Sequence, residues 1–298
     1  MTYTKDGVST VVSNGLLKQK TSMKKMKKVK LTIVAAATLI LGLTSCKKEE
    51  TTPTTSTPTG NGTVNIEFAH KYGMMNENNF ELEKEFIHPM KKDTMYFSKF
   101  KYFFTNVRLK KADGTYWTET ESYHLIDLAK PSSLSLSLAN VPAGDYTSLE
   151  YTLGVDSTRN VSGAQTGDLA TTNDMYWSWK SGYIMLKAEG KYLDTAKQKT
   201  FVFHLGGFSG ANNIVTKRSL ALENTNKVSV SNGKKSTISI EVNPGLLWHT
   251  AETVKKSNMI HMPGANTIKM ALGDNGATGF GFFNSPYGFS VKKVTNNQ

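Results

Sequence analysis

The sequence predicts an all-β fold, an antiparallel β-sandwich built by a single domain that follows a signal peptide and a flexible linker. Three observations predict it. About nine or ten short segments alternate apolar with polar residues or concentrate β-branched and aromatic side chains. Turn signals such as Asp113-Gly114 and Asn232-Gly233 punctuate them, because these pairs readily supply the positive φ of tight hairpins. The composition, 38% hydrophobic with 10% aromatic residues over 298 positions, suits a chain with a substantial core.

Residues 1–45 read as an address. Lysines from Lys24 to Lys30 precede a largely apolar run, Leu31 to Leu43, which suits a signal-peptide core and is short for a bilayer span. Met23 or Met26 makes a better initiator than Met1, since residues 1–22 lie upstream of this pattern. Leu43-Thr44-Ser45-Cys46 resembles a bacterial lipobox, which makes Cys46 the expected lipidation site and places the protein at the outer membrane, on its periplasmic or cell-surface face. Cys46 is the only cysteine, so no internal disulfide can form. Residues 46–62 continue as Lys47-Lys48-Glu49-Glu50 and a Thr, Pro, Ser and Gly tether, and the domain spans 63–298. The formal charge of +12 falls to +5 without residues 1–45, which argues against a nucleic-acid partner.

Within the domain, Val64 to Phe68 alternates as a half-buried strand and ends beside His70. Residues 71–95 read as a long loop or a short helix. Strands are expected at Phe97 to Leu109, Tyr123 to Leu128, Leu134 to Leu138 and Leu149 to Leu153, with a turn at Val141 to Tyr146. Further strands are expected at Tyr183 to Ala188, Thr200 to Leu205, Ser219 to Leu222, Lys227 to Val230 and Thr237 to Val242, with Asn232-Gly233 turning between the last two. One short helix is expected within 246–262, and Gly276 to Gly288 reads as an aromatic, glycine-rich tail whose last residues fray.

The densest stretch is Leu153 to Phe208. In extended geometry Trp177 and Trp179 share one face and Tyr176 and Ser178 the other, while His204 lies on the face opposite Phe201 and Phe203. No Gly-x-Ser-x-Gly elbow, His-Glu-x-x-His or phosphate-cradling loop is present, so a binding protein is expected rather than an enzyme.

The block Leu153-Gly154-Val155-Asp156, Asn160, Gly163 to Gly167, Met175 to Trp179, Gly182-Tyr183 and His204-Leu205-Gly206 resembles the MbnP-like domain of methanobactin-associated periplasmic proteins. Phe100 to Val107 and Pro142 to Tyr146 match it too, so the resemblance covers roughly residues 63–285. It implies a β-rich, copper-binding protein of the cell envelope with a histidine-based site. In some members a tryptophan is oxidised to kynurenine by a dihaem peroxidase partner. Trp177, Trp179 and His204 fall on the corresponding motifs, and Val161 stands where related members often carry a histidine after Asn160.

Six histidines and several methionines are available to a copper ion, which in its monovalent state favours imidazole and thioether donors. His204 ranks first, His70 second and His261, flanked by Met259 and Met262, third; His124 lies within a strand and reads as structural. Two other readings compete. Tyr116, Trp117, Tyr176, Trp177 and Trp179 could present rings to a glycan or another protein, and Asp156, Asn160, Asp168, Asn173 and Asp174 could hold calcium, although their spacing is not that of an EF-hand.

Overall fold

The alternating run at 64–68 is the middle of a twelve-residue strand, β1 (Asn61–Tyr72). The supposed loop after it contains two short strands, β2 (Asn78–Asn79) and β3 (Glu85–Ile87). Next come the eighteen-residue β4 (Thr94–Lys111), β5 (Tyr116–Thr118) and β6 (Tyr123–Asp127). They are followed by β7 (Ser135–Pro142), β8 (Gly144–Leu153) and a single helical turn, α1 (Ser157–Asn160). The strands β9 (Tyr176–Ser178), β10 (Gly182–Asp194), β11 (Lys197–Gly206), β12 (Thr216–Ala221), β13 (Val228–Val230) and β14 (Lys235–Val242) continue the chain. It closes with β15 (Met259–Ile260), helix α2 (Ala265–Leu272) and β16 (Phe289–Thr295). This computed structural model describes residues 59–73, 75–163, 165–178, 181–222, 227–248, 253–274 and 280–298. Cys46, Trp179 and His249 lie outside the described residues.

Two sheets make the sandwich. The smaller runs β16-β14-β1-β2, with β7 also on β1; the larger runs β12-β8-β4-β10-β11-β15, with β13 on β8, β9 on β10, and β3, β5 and β6 on β4. Most pairings are antiparallel, as predicted, but β1 runs parallel to β14, with Ile66 opposite Ile238, and β11 parallel to β15. These partners are far apart in sequence, so no hairpin dictates their direction.

Strand alternation supplies the core. Val64, Ile66 and Phe68 of β1 and Ile238, Ile240 and Val242 of β14 are buried on the small sheet. Phe100, Tyr102 and Phe104 of β4 face them across the sandwich. Phe68 meets Phe104 edge-on at 5.0 Å, and Phe104 stacks on Tyr151 at 4.3 Å. Such pairs each add roughly 0.5–1.5 kcal/mol beyond the area they bury.

Three local expectations change. The helix expected within 246–262 is instead a 3-10 turn at Pro244–Trp248, and the eight-residue helix comes later, at 265–272. Asn232-Gly233 does turn, with Gly233 at φ 68°, yet β13 and β14 belong to different sheets, so it joins layers instead of closing a hairpin. The tail does not fray: Phe282 and Phe289 are core residues against Tyr102, and 289–295 pairs with β14.

Candidate functional site

The segment from Gly154 to Gly182 folds over the outer face of the large sheet, and its polar residues are what hold it there. Asp156 caps α1 by accepting the Arg159 N–H at 3.1 Å, relieving one unpaired donor of the helix start. Asn160, 1% exposed, donates to the Asp156 carbonyl and accepts the Tyr183 N–H at 2.8 Å. Tyr183 in turn donates its hydroxyl to the Leu169 carbonyl, and Asp168 accepts the Leu125 N–H. Beneath the segment, Phe103 and Tyr183 meet edge-on at 5.6 Å. Asn173 donates to the carbonyls of Gly167 and Asp168. Four of the five residues of the calcium reading are thus tied into this network, and the fifth, Asp174, pairs with Lys187 at 2.7 Å.

Beside this cover a row of charged side chains crosses four strands. Register aligns Asp127 of β6, Lys101 of β4, Lys187 of β10 and His204 of β11. Lys101 pairs with Asp127 at 3.1 Å; Lys187, only 2% exposed, is neutralised by Asp174 at 2.7 Å. One step along the sheet Lys99 pairs with Glu189 at 3.0 Å. Burial opposes ionisation of Glu189 and Asp174, but their cationic partners outweigh it and hold both carboxyls below their usual range.

His204 sits where this row meets β11, with Nε2 2.8 Å from Glu189 Oε1. Burial lowers its pKa, helped by the nearby Lys187 charge and only partly opposed by Glu189, so the imidazole is neutral at pH 7. An ionised carboxylate can only accept, which assigns the proton to Nε2 and leaves the lone pair on Nδ1. The pattern, a carboxylate fixing one imidazole nitrogen while the other points elsewhere, is how proteins orient metal-binding histidines.

Trp177 shares that face. A Cβ on Gly206, two residues beyond His204, would lie 2.4 Å from Trp177 Cζ3, so the indole fills the space where a side chain would be. Positions two apart on one strand lie roughly 7 Å apart on one face, so the indole rests over the position next to His204 on that face. Phe201 and Phe203 point the other way into the core, stacked at 5.0 Å.

His70 is elsewhere. It lies between the sheets, 3.2 Å from the Tyr102 hydroxyl and edge-on to Phe100, and burial lowers its pKa to about 3. Phe100 and Tyr102 alternate with Lys99 and Lys101, so His70 and His204 occupy opposite faces of β4 and β10 and cannot share an ion. His261 follows β15 directly, and β15 pairs with β11 through Val202 opposite Met259. His124, on the neighbouring strand β6, has Nε2 2.7 Å from the Glu119 carboxylate. Among the described residues no three His, Cys, Asp or Glu side chains are grouped to hold a metal ion.

Among the described aromatic residues, Tyr116 is 42% exposed with Arg108 and Lys110 over its ring at 4.5 and 5.5 Å, whereas Tyr176 packs against Tyr183 at 5.0 Å. Glu189 and Lys187 escape sequence reasoning because ordinary charged residues on a strand carry no motif; only the register with His204 reveals them.

The sequence model of the family described as MbnP matches residues 61–263. Among solved structures, MbnP from Methylosinus trichosporium is similar at 12% identity, covering 77% of this chain and 98% of that one with a TM-score of 0.47. The comparison with curated proteins finds no match.

Proposed function

Because the chain belongs to the MbnP family, we propose that it is a copper-handling protein of the cell envelope, tethered to the outer membrane through a lipid on Cys46. The observation that carries this reading is the orientation of His204 by Glu189, with Nδ1 directed away from the carboxylate and the Trp177 indole on the same face. Copper at Nδ1 would supply a one-electron couple beside that indole. This chain's part is to bind: Lys99 holds Glu189, Glu189 holds the imidazole tautomer, and Gly206 leaves room for the ring. Oxidation of Trp177 or Trp179 would fall to a dihaem peroxidase partner, so the protein itself acts as carrier or store without catalysing a reaction.

The test is copper content and affinity of protein from its native host, with intact mass across the Trp177 peptide. His204→Ala is expected to lose the copper bound there. Glu189→Gln, which keeps shape but removes the charge that fixes the tautomer, is expected to weaken it by roughly 10–100-fold. His124→Ala is expected to change nothing. Equal copper occupancy in wild type and His204→Ala would remove His204 from the site.

A further inference from the structure

We propose that Met259, His261 and Met262 form a second, surface site for a soft monovalent metal ion of the Cu(I) class. Three potential donors fall within four residues, at the end of a strand and in the turn that follows it. Ile260 is the inward anchor of β15, 5% exposed, so Met259 and His261 on either side of it point outward. All three donors line a shallow, open concavity of about 320 Å³ together with Asn266 and Thr267 at the start of α2. Met259 and Met262 are 61% and 56% exposed, so both thioethers are reachable from solvent.

The frame beneath is fixed on both sides. Val202 N–H donates to the Asn258 carbonyl at 2.8 Å, and the Asn258 amide returns a bond to Thr200. Beyond the strand, the Thr267 hydroxyl, itself buried, donates to the Met262 carbonyl at 2.7 Å and pins the turn. The backbone carrying the donors is therefore held while their side chains remain free to close on an ion.

Donor chemistry selects the ion. Thioether sulfur is uncharged and polarisable; with an imidazole it suits Cu(I), whereas Ca²⁺ and Mg²⁺ need oxygen and Zn²⁺ prefers thiolate, imidazole or carboxylate. Among the described residues no carboxylate lines the concavity, which disfavours a hard divalent ion there. His204 does not line it either, and the proposal does not depend on the reading of that residue.

The experiment is a Cu(I) titration of the mature protein under reducing conditions against a chromophoric chelator. It is repeated with Ag(I) and Zn(II), with the methionine methyl resonances followed by NMR. The variants are Met259→Leu/Met262→Leu, volume-conserving at exposed positions and so expected to leave the fold intact, His261→Ala and His204→Ala. In the wild type, Cu(I) and Ag(I) should shift the methyl signals of both methionines. The double variant should weaken this Cu(I) site by about tenfold or more, with a similar loss in His261→Ala and none in His204→Ala. Unshifted methyl signals, a double variant that binds Cu(I) as tightly as the wild type, or Zn(II) binding as tight as Cu(I) would each overturn the site. If Cu(I) is lost in His204→Ala alone, this proposal fails while the one built on His204 stands.

Discussion

Gly206 decides where the Trp177 indole lies, because any side chain there would occupy the same space. Gly206→Ala should therefore expel the ring or strain the strand. The expected result is a red-shifted tryptophan emission and a loss of about 1–3 kcal/mol in urea unfolding; unchanged emission would show that the indole does not rest on this glycine. His70 makes a different prediction. Its folded pKa, about 3, lies below the 6.5 of an exposed histidine. The unfolded chain therefore takes up a proton that the native protein excludes as pH falls from about 6.5 towards 3. Stability attributable to His70 is full above that window and declines through it, by up to about 1.4 kcal/mol per pH unit. His70→Gln should flatten that part of the stability profile between pH 7 and 4.5 relative to wild type. Parallel profiles would mean that this side chain is not excluded from protonation. Neither property could be read from the local sequence: a glycine and a histidine announce themselves, but their neighbours come from strands far away.

At the level of elements, the cover from Gly154 to Gly182 is what gives the large sheet a second buried face. Asn160 is its clasp, bonded to the Val155 and Asp156 carbonyls on one side and Tyr183 on the other. Removing that amide leaves buried groups unsatisfied, so Asn160→Ala is expected to cost about 1–3 kcal/mol and to speed hydrogen exchange of the Tyr183 amide selectively. Uniform exchange changes would mean that the segment is not closed by this residue. The strands were legible because period-2 alternation survives burial of one face, as in β1 and β7. The 3-10 turns of the cover, at Gly167–Leu169 and Thr171–Asn173, were not, since their conformation follows from contacts with β6 and β10 instead of from any repeating pattern. For the same reason Asp156 to Asp174 looked like a cation-binding set when it is a set of caps and ties.

For the molecule as a whole, the sandwich and the position of His204 on the face away from Phe201 and Phe203 followed from alternation alone. The division into two sheets did not. β13 and β14 look like a hairpin around Asn232-Gly233, and only the pairing of β13 with β8 shows that the chain changes layers there. The aromatic tail from Gly276 to Gly288, whose last residues are expected to fray, instead has Phe282 packed on Tyr102, and Phe289 just beyond it packs there too. Convergence of His70 with His204 failed on parity: one projects into the sandwich and the other away from it. What the fold adds at His204 is the Glu189 carboxylate, 2.8 Å from its Nε2.

The middle of the small sheet is β1, flanked by β7 and by β14, which is itself edged by β16. The first strand to emerge during synthesis thus waits for nearly the last before its second edge is satisfied. Closure spans most of the polypeptide, a high-contact-order arrangement that favours slow folding. An export route that threads the chain from its amino end would deliver β1 well before β14, leaving an open edge in the interval. A chain shortened ahead of residue 235 should therefore leave that edge of β1 unpaired, which faster exchange of its amide hydrogens would show.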